Sequence, residues 1–225
     1  MAVQIFIGCI DEEVRHTSIV RNGKTCSMVG FNYLDYLNGW EIWTNYACNF
    51  AKFENIGFQA MIDKIRAEDM THRHVVLSVT ELGDILDSVG SKTQEVLFCN
   101  AFLRQIGKIG DSTGEIIFRG DLQRYNDLHK RFRIHTTEVL VPVKFHQDDD
   151  TQCNANKCKR PHKIKVYLYS PYPAFEEKPL RIFDAMKIGK MYNTYQVSYD
   201  HLKIPTRKEL DKLGIDEKGE EKNGN

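Results

Sequence analysis

Between Ser18 and Asn45 the chain reads SIVRNGKTCSMVGFNYLDYLNGWEIWTN, with Gly23-Lys24-Thr25 at the head of an apolar-periodic run. Glycine lets backbone N–H groups wrap an anion, lysine reaches terminal phosphates, and a threonine hydroxyl ligates Mg2+. At a helix N-terminus the peptide dipoles favour the same anion. Ser18, Arg21, Asn22, Gly23, Lys24 and Thr25 therefore form a candidate phosphate-binding loop for a nucleotide such as ATP. The pattern G-x-x-x-x-G-K-[ST] wants glycine where Ser18 stands, and a serine held in a left-handed backbone conformation is costly. Gly8 is the other candidate first glycine, 15 positions before Gly23. Either residues are inserted after Gly8, or "HTSIV" is the strand that leads into the loop. Taken alone, Asn-Gly-Lys-Thr is also an ordinary turn before a helix.

A second group follows the hydrophobic run VVLSVTEL, where Glu81 stands at the end of a strand-like segment and Thr80 precedes it. A carboxylate there suits a base that orients or deprotonates water, and the Thr80 hydroxyl would touch the Mg2+ shell without bringing charge. The plainer reading makes Glu81 a favourable first-turn charge on a helix.

A third group is His146, Cys153, Cys158 and His162, spaced H-x6-C-x4-C-x3-H in a polar loop between two strand-like runs. Two thiolates and two imidazoles suit tetrahedral Zn2+, and such a loop needs no core of its own. The competing readings are an ordinary exposed loop, or weak binding of hard cations by Asp148, Asp149 and Asp150. The flank NKCKRPHKIK is basic enough to touch nucleic acid.

The elements that must position these groups follow from patterning. The 225 residues suit one fairly large domain with a substantial core. Lys plus Arg and Asp plus Glu both total 31, so no global field draws the chain to nucleic acid or an acidic membrane. No run of eighteen apolar residues exists, and MAVQIFIGCIDEE lacks a basic n-region and a cleavage site, which predicts a soluble, cytoplasmic protein without membrane insertion. Four of the six cysteines, Cys9, Cys26, Cys48 and Cys99, are scattered in apolar or helical context, unlike a disulfide framework.

Short β-branched and aromatic runs alternate with helical periods, the signature of an α/β protein with a mostly parallel sheet. VQIFIGCI, WEIWTNY, residues Val75 to Val79, GEIIFRG and TEVLVPVKF read as strands. KTCSMVGFNYLDYL, IGFQAMIDKIRAEDM and TQEVLFCNAFLRQIGKIG read as helices, the polar stretch DLQRYNDLHKRFRIH as a connection, and the segment around residue 146 as a hairpin. The remainder is interrupted by proline, and residues 201–225 are predicted to fray into a charged, disordered tail.

Taken in order, NGKT with its helix, GWEIWTNY, VVLSVTELGDILDS, FLRQIGKIG, IIFRGDLQRYNDLHKRFR and the strand ending in Pro142 resemble the zonula occludens toxin-like ATPases of filamentous phages. They resemble equally the related virus-encoded ATPases of the FtsK and HerA superfamily. The resemblance covers about the first 145 residues, and its strength is the series rather than any single block. It implies a three-layer, RecA-like P-loop NTPase core over residues 1–145. The hairpin and C-terminal extension, residues 146–200, would belong to the same domain.

The resemblance further implies that Lys24 and Thr25 bind phosphates and Mg2+, that Glu81 acts on water, and that Gln123 is a polar sensor. Arg131 and Arg133, in HKRFR, match the family's arginine pair and imply an arginine finger in a homo-oligomeric ring, such as a hexamer; a solvated or DNA-facing basic segment is the alternative. The chain departs from the family at Ser18, at Thr80, and at Gly107, where the family's helix usually carries arginine. The leading functional expectation is a viral-type ATPase for genome packaging or virion assembly and export in the host cytoplasm. A degenerate nucleotide-binding or structural subunit that binds DNA or a partner is the second, and a small-molecule kinase the third.

Overall fold

The computed structural model describes residues 2–9, 23–82, 115–124, 133–155, 158–169 and 178–197. Strand β1, Ala2–Cys9, alternates its side chains: Val3, Ile5 and Ile7 enter one core cluster, while Phe6 enters the other. A strand buried on both faces in this way belongs in the middle of a parallel sheet. It lies between β5, Glu115–Arg124, and β6, Glu138–His146, parallel to both. On the far side of β5 come β4, His74–Val79, and β2, Glu41–Thr44, also parallel.

Beyond β6 the sheet continues through β7, His162–Leu168, and β8, Arg181–Asp184, both antiparallel to their neighbours. The order is β2-β4-β5-β1-β6-β7-β8. The sheet thus runs without a break across residue 146. A small separate ribbon pairs β3, Tyr46–Cys48, with β9, Tyr192–Val197.

Helix α1, Lys24–Leu37, covers one face of the sheet, and α2, Phe58–Ala67, the other. Phe58, Met61, Ile62 and Ile65 recur at helical spacing and pack with Val3, Ile5 and Ile7. Cys26, Met28 and Val29 of α1 meet Phe6, Leu140, Ile164 and Phe183 on the opposite side. The architecture is therefore α/β, three layers around a mostly parallel sheet. Gly30 lies inside α1 despite its poor helix propensity because a Cβ there would come within 2.8 Å of the Phe183 ring.

The strands and the two helices over these residues match the sequence pattern, with three differences. WEIWTNY, read as one strand, divides at Asn45 into the end of β2 and the start of β3, which lie in different sheets. β5 continues through Asp121 to Arg124, where the polar composition suggested a connection. The stretch read as tapering contains β8, a single turn α3 over Ala185–Ile188, and β9. Four-residue elements are too short to show a period, and α3 is marked instead by its cap: Asp184 Oδ1 accepts from the N–H groups of Met186 and Lys187. The periodic helix TQEVLFCNAFLRQIGKIG and the tail 201–225 lie outside the described residues. Among the described residues, no helix is long and apolar enough to cross a membrane.

Candidate phosphate site and the histidine–cysteine cluster

The strand that leads toward α1 has neighbours on both sides, while the strand after α1, β2, lies at the sheet's far edge. Such a reversal of strand order opens a crevice at the carboxyl ends of the strands, where α/β sheets bind ligands. At this end of the sheet the ends of β4 and β5 meet the first turn of α1.

Gly23 caps α1 in the left-handed region, φ 98°, and no side-chain hydrogen bond caps the helix. The backbone conformation favours glycine, and a Cβ there would sit 2.5 Å from Ile164 Cδ1, so that side chain would have to shift. The first turn of a helix leaves backbone N–H groups without intrahelical partners, the feature that anion binding at a helix N-terminus uses.

Side chains from three elements converge there. Lys24 Nζ donates to the amide oxygen of Gln123. The Thr25 hydroxyl donates to Asp121 Oδ2 at 2.6 Å, and the backbone N–H of Glu81 donates to Asp121 Oδ1 at 2.8 Å. Asp121 is 2% exposed, and burial raises its pKa above the ordinary aspartate value, opposed by the Thr25 hydrogen bond and by the charge of Lys24. One buried carboxylate thus joins the start of α1 to the end of β4.

Glu81 itself is exposed and holds φ 54°, a left-handed conformation rare for glutamate. Strain of this kind concentrates at functional sites.

Thr80 behaves differently from the expectation of a group facing Mg2+. Its N–H donates to Asn45 Oδ1 at 2.8 Å, its hydroxyl lies 3.4 Å from the same oxygen, and Asn45 Nδ2 returns a bond to its carbonyl at 3.1 Å. The residue beside Thr25 is Asp121 instead. Since Val79 pairs with Gly120, Asp121 lies level with Thr80 on the adjacent strand.

Asp121 was missed because it falls in a segment read as a connection. The signal was present as alternation: Arg119, Asp121 and Gln123 are two apart and share one face of β5. That face lies along α1. Arg119 meets Asp35 and Asn32 deep on the helix, Asp121 meets Thr25, and Gln123 meets Lys24.

Of the other expected residues, Ser18, Arg21, Asn22 and Arg131 lie outside the described residues. Arg133 lies before β6, its carbonyl accepting from the Thr136 N–H, while the next residue, Thr137, bonds Val3. This is the amino-terminal edge of the sheet, opposite Lys24. Arg133 is therefore not brought to the phosphate site of its own chain.

The four zinc candidates do come together. One ligand atom from each of His146, Cys153, Cys158 and His162 lies within 4.8 Å of the others. The aspartates between them are engaged elsewhere: Asp148 and Asp149 pair with Arg160, and Asp150 with Lys163 and Lys165. These pairs neutralise much of the basic flank that suggested nucleic-acid contact.

No protein-family model and no curated protein matches this chain. Among solved structures it is similar to the crystal structure of the N-terminal domain of zonular occludens toxin from Neisseria meningitidis, with 15% identity and a TM-score of 0.48 over 86% of this chain and 100% of that one.

Proposed function

We propose that the protein binds a nucleoside triphosphate at the head of α1 and hydrolyses it. The observation that carries this reading is the convergence of Lys24, Thr25, Asp121, Gln123 and Glu81 at the carboxyl ends of β4 and β5. The donor set fits Mg2+, since a threonine hydroxyl and a buried carboxylate are hard oxygen ligands. Thr25 and Asp121 would hold the ion, which when bound neutralises phosphate charge.

Lys24 and the first-turn N–H groups of α1 bind the phosphates. Gln123, already in hydrogen-bond contact with Lys24, is positioned to orient the terminal phosphate and the attacking water. Glu81 serves as the base at the solvent-facing side. Catalysis of this type is mainly positioning and electrostatic stabilisation, which suits a site assembled from rigid strand ends.

The sequence resemblance supports assigning the turnover to viral genome packaging or to virion assembly and export, by a homo-oligomeric ring. Arg133, on the edge opposite its own Lys24, suits a role toward a neighbouring subunit. The second reading, a subunit that binds nucleotide without turning it over, draws on Thr80, whose N–H and hydroxyl are engaged by Asn45.

The test is nucleotide binding and ATP turnover by the purified chain, with and without DNA, beside Lys24→Ala and Glu81→Gln. Lys24→Ala is expected to lose binding, and Glu81→Gln to keep binding while losing turnover by about 100-fold or more. Binding without turnover in the unmodified protein selects the second reading. Absence of Mg2+-dependent nucleotide binding overturns both.

A further inference from the structure

We propose that His146, Cys153, Cys158 and His162 form a closed, structural zinc site that staples the loop between β6 and β7. His146 and His162 are the last register pair of that hairpin, so two ligands are presented side by side by the strands themselves. The loop then folds back along β6: Gln152 bridges to Phe145, and the Cys153 N–H donates to the Lys144 carbonyl at 2.8 Å. This return brings Cys153 to the histidines.

The separations are close to those of a tetrahedral site. Zn–S near 2.3 Å and Zn–N near 2.05 Å at tetrahedral angles put ligand atoms about 3.4 to 3.8 Å apart, with sulfur to nitrogen about 3.6 Å. Cys158 Sγ and His146 Nε2 are 3.5 Å apart, and the widest separation among the four is within 4.8 Å. Closing by about 1 Å at the longest edge completes the tetrahedron.

Hydrogen bonding selects the ligating atom of His146. The Thr151 hydroxyl donates to Asp149 Oδ1 at 2.6 Å, so its oxygen accepts from His146 Nδ1, 2.9 Å away. Nδ1 therefore carries the proton and Nε2 keeps its lone pair toward Cys158. Asp149 is anchored in turn by Arg160 at 2.6 Å, the kind of outer partner chain that orients metal-ligating histidines.

His162 adds an independent sign: its Nε2 is buried and has no hydrogen-bond partner among the described residues. A buried polar atom left unpaired costs free energy, and a metal bond removes that cost. Cys153 is 6% exposed in a predominantly polar loop. Both cysteines are free thiols.

The chemistry fixes the ion class. Two sulfurs and two imidazoles select a soft-to-borderline cation over Mg2+ or Ca2+, and four protein ligands leave no open position for catalysis. Binding releases the thiol protons, and the nearby aspartates, paired with Arg160, Lys163 and Lys165, are not needed as ligands.

The test uses the tag-free full chain purified without chelator. Elemental analysis is expected to give about one zinc per chain. Cobalt added to stripped protein should give the intense visible bands of a tetrahedral site and near-ultraviolet sulfur-to-cobalt absorption. Cys153→Ser with Cys158→Ser should abolish the near-ultraviolet feature and the stoichiometric zinc. His162→Asn, a milder change, should lower zinc affinity at least 10-fold if the double variant fails to fold. No zinc and no cobalt spectrum in the unmodified chain overturns the site. So does a Cys153–Cys158 disulfide in reduced-purified protein, or zinc retained equally in every variant.

Discussion

Thr25 on the first turn of α1 and Asp121 on β5, 96 positions apart, share a 2.6 Å hydrogen bond in the crevice at the strand ends. The bond joins a hydroxyl placed by a sequence motif to a carboxylate that no motif marks. Asp121→Asn keeps the side-chain shape but removes the charge. It is expected to weaken Mg2+-dependent nucleotide binding at least 10-fold while leaving magnesium-free binding within about 3-fold, as titration with a fluorescent nucleotide would show. Equal loss under both conditions would make Asp121 a purely structural residue.

Gly23→Ala combines a strained φ with a 2.5 Å approach to Ile164. The backbone term alone is about 1 to 2 kcal/mol. Urea denaturation should show at least that loss. Adding Ile164→Val relieves the contact and recovers part, with the remainder belonging to φ.

The zinc proposal and the nucleotide reading meet at the same residue. Ile164, against Gly23, pairs with Lys144, two residues or about 7 Å of strand from the His146–His162 pair. Stripping the metal should therefore loosen the hairpin over the phosphate loop and weaken nucleotide binding about 5-fold or more. Calorimetry on loaded, stripped and reloaded protein measures it; unchanged affinity would separate the two sites.

Arg119 is 2% exposed and fixed by Asp35 at 2.5 Å, Asn32 at 3.0 Å and Gln4 at 2.6 Å. Arg119→Met strands the Asp35 carboxylate and should cost about 3 to 5 kcal/mol in chemical denaturation. Arg119→Met with Asp35→Leu should recover much of it. A double-mutant cycle measures the coupling.

At the opposite edge, burial raises the Glu41 pKa, but hydrogen bonds from Arg73 and Lys52 outweigh it, and the carboxyl titrates below the ordinary glutamate value. A depressed folded value means stability that is present above the unfolded pKa and lost as pH falls through the folded one. Glu41→Gln should cost about 1 kcal/mol at neutral pH and flatten the acid limb of the stability curve. Thermal melts between pH 3 and 7, roughly the carboxylate range and above, decide it.

Local patterning carried much of the fold. The apolar, β-branched run VQIFIGCI and the helical spacing in IGFQAMIDKIRAEDM are properties of short windows, and β1 and α2 fall where those windows place them. The His-Cys spacing was equally local, since a hairpin brings its own ends together. β8 and α3 were not legible because elements of four residues carry no period.

The sequence by itself determined which residue types head α1, that the sheet is mostly parallel, and that four soft ligands share one loop. Only the tertiary structure decided that Asp121 rather than Thr80 faces Thr25, and that Arg133 lies at the far edge from Lys24. The physical reason is register. Which strand lies beside β4, and at what level, depends on long-range pairing, so a carboxylate 40 residues beyond Glu81 stands level with Thr80, a neighbour that no window of sequence contains.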